Sequence, residues 1–185
     1  MGVSERPITF PGSAVRAILA GRKSQARFVL QTASGAGLPT PDRCPYGVPG
    51  ELLWVREQWN TSPPLDEPDA TLVPPHEVEI VYRADILRRE RDRLSSRLWL
   101  PPEVMPRWAC RIVLRLSGVR VERLHEISDD DLQREGGMWH ELAPPGPDEN
   151  ERTAFARWWD GVHSHPETLW KANPLVWVLN FGVLL

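Results

Sequence analysis

The run Arg111 to Val121, RIVLRLSGVRV, constrains the fold more than any other stretch of the chain. Apolar Ile112, Leu114 and Leu116 alternate with Arg111, Val113 and Arg115. That period of two belongs to a strand with one buried face and one partly basic face. With its flanks it predicts the longest strand, Ala109 to Val121. Gly118 interrupts the pattern, and a glycine inside a strand marks a bulge or bend. A long strand that bends lets its sheet coil, as a small barrel requires.

Other strands are expected at Phe28–Leu30, at Leu52–Val55 after the Pro49-Gly50 turn, at Glu79–Ala84 and at Leu175–Leu184, with Pro7–Phe10 extended. Three helices are expected among them. In the first, Val15, Ile18 and Leu19 make one apolar face, Ser13 is a candidate N-cap, and Gly21 stops the helix. In the second, Ser128 caps SDDDLQREGG and Gly136-Gly137 ends it. The third runs from Glu151 to Val162, with Ala154, Phe155, Trp158, Trp159 and Val162 at helical spacing and both Trp read as core. The sum is an α+β domain.

At 185 residues the chain is expected to form one domain. Its nineteen prolines cluster, which marks long irregular insertions at about 31–48, 61–78, 86–103 and 141–150. Within them, Ile86 to Leu98 mixes five arginines with acids and reads as a solvated helix or mobile arm, alternatively a phosphate-contacting one. A net charge of −3 supplies no global basic field, so any nucleic acid must meet a local patch. Cys44 and Cys110 are too few and too far apart for a disulfide framework or zinc knuckle. No apolar leader or membrane-length run is visible, so the expected compartment is the cytoplasm, with no membrane partner.

The chemistry concentrates in the polar corner Arg22-Lys23-Ser24-Gln25-Ala26-Arg27 that follows Gly21. The chain uses arginine almost throughout; Lys23 and Lys171 are its only lysines. A desolvated lysine can lose its proton and act as a base, which arginine cannot; a solvated loop lysine is the plainer alternative. Glu135 sits at a helix C-terminus, where the dipole disfavours a carboxylate, so it needs a cationic partner or a raised pKa. His163 and His165 form a Ser-His-Pro pair, but no Cys or carboxylate cluster joins them, and no metal site is expected. There is no P-loop, GxGxxG or nucleophile elbow, and no cofactor is expected.

In order, ILAGRKSQAR, CPYGVPGELLWVRE, MPRWACRIVLRLSGVRVERL, ISDDDLQREGG and NPLVWVLNF resemble the ASCH domain family, in particular its longer phage- and prophage-associated members. The resemblance covers nearly the whole chain. It implies a PUA-like mixed β-barrel with two or three flanking helices, and recognition of RNA or a modified nucleoside in a cleft beside the first helix. The superfamily includes an N4-acetylcytidine amidohydrolase, and ribonuclease activity has been attributed to an ASCH member. The amidohydrolase uses a Lys in the GRK corner, a Thr three residues later, and a Glu ending the helix after the long strand. These positions fall on Lys23, Ala26 and Glu135. Alanine has no oxygen to attack or donate. Ser24 is a tentative substitute, though its offset of roughly 6.6 Å along an extended chain is large. A water activated by Lys23 and Glu135 is another.

Three readings follow. The first is a binding module without chemistry, contacting RNA or a cytidine derivative through Arg22, Lys23, Arg27, Trp54, Arg56, Glu57, Arg107, Trp108 and Arg111. The second is a small amidohydrolase acting on N4-acylcytidine-type nucleosides through Lys23 and Glu135. The third, a phage-associated structural or interaction protein, follows only from the company its relatives keep.

Overall fold

The computed structural model describes residues 3–31, 39–62, 78–86, 99–141, 146 and 149–184. Residues 87–98 of the expected Arg-rich arm, and 32–38, 63–77, 142–145 and 147–148 of the other expected insertions, lie outside these residues.

Seven strands and three α-helices are described. The strands are β1 (Glu5–Thr9), β2 (Gln25–Val29), β3 (Leu52–Arg56), β4 (Trp59–Ser62), β5 (Glu79–Tyr82), β6 (Val113–Arg123) and β7 (Leu175–Leu184). The helices are α1 (Gly12–Leu19), α2 (Asp129–Arg134) and α3 (Glu151–Val162). Five strands form one mixed sheet in the order β1-β3-β6-β7-β2; β4 and β5 form a separate hairpin sheet. Only β1 and β3 run parallel in the large sheet; its other pairs are antiparallel.

The long strand organises the sheet as its pattern requires. Leu114 and Leu116 are buried while Arg115 and Ser117 face outward. A bulge falls between Leu116 and Gly118, where a side chain on Gly118 would press within 3.1 Å of the Asn180 amide. The strand starts at Val113 rather than Ala109, because Pro106 sets a 3-10 turn over Arg107–Ala109.

The expected barrel is an open sheet. β1 and β2 are its edges, and no ladder joins them among the described residues. They approach where Phe10, just past β1, meets Phe28 of β2, ring centroids 6.1 Å apart. Pro7 and Pro11 deprive this part of the chain of N–H donors for a closing ladder.

Helix α1 buries Ala14, Val15, Ala17 and Ile18, whereas Leu19 is half exposed at its last turn. Pro11, not Ser13, occupies its N-cap position; Ser13 is buried in the first turn. α2 begins as its sequence predicts: Ser128 Oγ accepts from the Asp131 N–H, and Asp131 returns a bond to the Ser128 N–H. In α3, Ala154, Phe155 and Trp159 are buried in the main core, and Trp159 Nε1 donates to the Thr168 carbonyl. The hairpin sheet packs a smaller cluster of Trp59, Leu100, Met105 and Ala109.

Candidate functional site

The site begins where α1 stops. Gly21 adopts φ +69°, and the N–H groups of Arg22 and Lys23 both donate to the Ala17 carbonyl. The chain then runs into β2, three residues earlier than the apolar run Phe28–Leu30 suggests, because Gln25 to Val29 pair with β7. Ser24 is clamped from both sides, its N–H donating to the Arg134 carbonyl and its carbonyl accepting from Phe181. This geometry turns Lys23 inward under the end of α2.

Lys23 and Glu135 meet there as a buried ion pair. Nζ lies 2.6 Å from Glu135 Oε2, and the two side chains are 1% and 2% exposed. Glu135 Oε1 accepts from Arg27 at 2.9 Å. The carboxylate that the α2 dipole disfavours therefore has two cationic partners. Gly136 makes the approach possible: at φ +84°, its missing Cβ would stand 2.8 Å from Lys23 Cβ.

Arg27 extends the network to Glu122 at 2.7 Å and Asp131 at 3.1 Å, and Arg120 binds the same two carboxylates. Gln25 donates to both Asp131 and Asn180. Three cations thus face three carboxylates, Lys23, Arg27 and Arg120 against Glu135, Glu122 and Asp131. Burial pushes the Lys23 amine down from its ordinary value, with Glu135 opposing part of that shift. Burial pushes Asp131 up, but hydrogen bonds from Gln25 and Ser128 and the charge of Arg27 hold it well below the usual carboxylate range.

A cavity of about 210 Å³ opens beside this network. Lys23, Arg27 and Glu135 supply its charged wall, and Ala26 lies among its lining residues. Phe10 and Phe28 line it from the sheet edges, and Phe155, Trp158, Trp159 and His163 line it from α3 and its end. It is smaller than the ~300–1,000 Å³ typical of sites for drug-sized ligands, so it suits one ring-sized group. The three positions carried over from the amidohydrolase, Lys23, Ala26 and Glu135, all meet here. Ser24 is not among the lining residues.

The other candidate contacts lie apart from this cavity. Arg22 donates to the Gly136 carbonyl. Trp54 is buried beneath Arg56, whose guanidinium carbon is 4.6 Å from its ring, with Arg107 at 6.0 Å. Arg107 itself is paired with Glu5. Arg111 binds Glu57 and Asp85 and lies over Tyr82. Burial pushes Glu57 up despite Arg111. Trp108 packs edge-on against Trp59.

Sequence reasoning gave no site role to Gln25 and Asn180 or to Glu122, whose bonds to one another and to Arg27 span most of the chain, nor to Arg120, and weighed His163 only as a metal ligand. Trp158, read as core, is half-buried and lines the cavity. A larger cleft of about 630 Å³ lies between α2 and α3. There Glu151 Oε2 already accepts from both Trp139 Nε1 and His140 Nε2.

No family model and no curated protein matches the chain. Two solved structures are similar to it. One is an Enterococcus faecalis V583 protein of family DUF984, with 12% identity and a TM-score of 0.44, covering 100% of this chain and 82% of that one. The other is an ASCH domain from Lactobacillus crispatus JV V101, with 13% identity and a TM-score of 0.42, covering 97% of this chain and 79% of that one. No helix among the described residues is long and apolar enough to cross a membrane.

Proposed function

We propose that the chain binds a modified nucleoside, a cytidine derivative, with the base in the cavity beside α1. The observation that carries this reading is the buried Lys23–Glu135 pair on the wall of a ring-sized, aromatic-lined cavity. Aromatic walls suit a planar base, and a fixed ammonium suits a carbonyl oxygen on it. A free nucleoside is favoured over a long RNA, because Arg27, Arg107 and Arg111 are already spent on carboxylates. Phosphate contacts would have to break these pairs.

The test is titration with N4-acetylcytidine, cytidine and a single-stranded RNA, following tryptophan fluorescence. Saturable binding of the acetylated nucleoside, stronger than that of cytidine, is expected. Binding of RNA alone, falling steeply with salt, would replace this reading with a polyanion site.

Deacylation is the second reading, favoured by the 2.6 Å contact and the lowered Lys23 pKa. A water adds to the acyl carbon, one member of the pair takes its proton, the C–N bond breaks, and the other member protonates the leaving amine. Turnover of N4-acetylcytidine that is lost in Lys23→Ala supports this chemistry. Turnover seen only in Ala26→Thr leaves the parent as a binding module that lacks the attacking oxygen.

A further inference from the structure

His163 lines the same cavity as Lys23, Arg27 and Glu135. His163 follows the last residue of α3 in an extended conformation. Its ring stacks on Trp159, centroids 4.0 Å apart and planes 21° from parallel. Its Nδ1 lies 3.0 Å from the Trp159 carbonyl oxygen. A carbonyl oxygen only accepts, so in the neutral tautomer of the ring Nδ1 is the nitrogen that carries the proton. Nε2 is then an acceptor, and the stacked ring holds it in one orientation. Among the described residues nothing donates to Nε2. Both Glu135 oxygens on the cavity wall are already bonded, to Lys23 and Arg27.

We infer that His163 is a specificity-determining residue whose Nε2 accepts a hydrogen bond from the ligand. The cavity therefore selects a planar ring bearing a carbonyl for Lys23 and an N–H or O–H donor for His163. A ring of the same shape without that donor leaves Nε2 desolvated and unpaired, which makes it a poor ligand. This assignment rests on the nucleoside reading of the cavity.

The test exploits the two amide side chains. Asparagine places an N–H near the Nδ1 position but does not reach Nε2; glutamine extends an oxygen toward the Nε2 position. Wild type, His163→Asn and His163→Gln are titrated with N4-acetylcytidine by calorimetry, after their melting temperatures establish folding. The assignment predicts binding about tenfold weaker in His163→Asn, the size of one lost hydrogen bond left unpaired, and within about threefold of wild type in His163→Gln. Unchanged binding in His163→Asn overturns the assignment while leaving the nucleoside site intact. Equal weakening in both variants also overturns it, since the ring then acts by stacking alone. No binding by wild type overturns the nucleoside reading and this assignment together.

Discussion

Glu135→Gln keeps the shape of the side chain and removes its charge. Lys23, fully buried, then faces no anion, whereas Arg27 retains Glu122 and Asp131. Removing one partner of a buried pair costs about 3–5 kcal/mol. Lys23 sets its own ceiling on that cost, because it can release its proton. From an ordinary pKa of 10.5, release at pH 7 costs about 5 kcal/mol and at pH 9 about 2 kcal/mol, at about 1.36 kcal/mol per unit. The loss of stability in Glu135→Gln is therefore expected to be about 3–5 kcal/mol at pH 7 and to shrink to about 2 kcal/mol or less at pH 9. Urea denaturation of wild type and variant at both pH values measures it. A second variant, Lys23→Met with Glu135→Leu, should recover much of the loss at pH 7, because an apolar pair leaves no buried charge on that side. A loss below about 0.5 kcal/mol at pH 7, in the range of ordinary surface changes, or a loss equal at both pH values, would refute the buried pair.

Other outcomes follow from the same geometry. Gly136→Ala is expected to destabilise by about 1–3 kcal/mol, through a positive φ and a Cβ driven against Lys23; thermal melting reads it. Ala26→Thr is expected to deacetylate N4-acetylcytidine faster than the parent, because the new hydroxyl lines the cavity beside Lys23; chromatography of the nucleoside products checks it. Burial pushes Tyr82 up to about 12 and raises Tyr46, so neither phenol should ionise in an ultraviolet titration at the pH where the urea-unfolded chain does. Their raised pKa values contribute stability that is intact below the unfolded value of about 10 and is lost as pH rises through the folded values.

Local punctuation made much of this legible. Gly21 and Gly136-Gly137 announce the two chain reversals that flank the site, and Ser128 announces α2. Glu135 is conspicuous as a carboxylate at the wrong end of a helix, and its need for a cation is met. Which cations meet it is not a local property: Lys23 is 112 positions away, and only the sheet order brings them together. β2 starts early for the same reason. Gln25 and Arg27 look like solvated corner residues until β7, Glu122 and Asp131 supply their partners. The bulge at Gly118 is visible in the alternation, but it bends the sheet without closing it, since closure depends on edges that proline-bearing β1 does not offer. In the sequence His163 reads only as half of a pair with His165, because its contacts with Trp159 emerge only once α3 has formed.

A crystal structure with N4-acetylcytidine bound would locate the ligand outright. The account predicts density for the base in the cavity between Phe28 and Trp158, with a carbonyl oxygen within hydrogen-bond distance of Lys23 Nζ. Density over the Trp54–Arg56 surface, or no ordered nucleoside at saturating concentration, would contradict it.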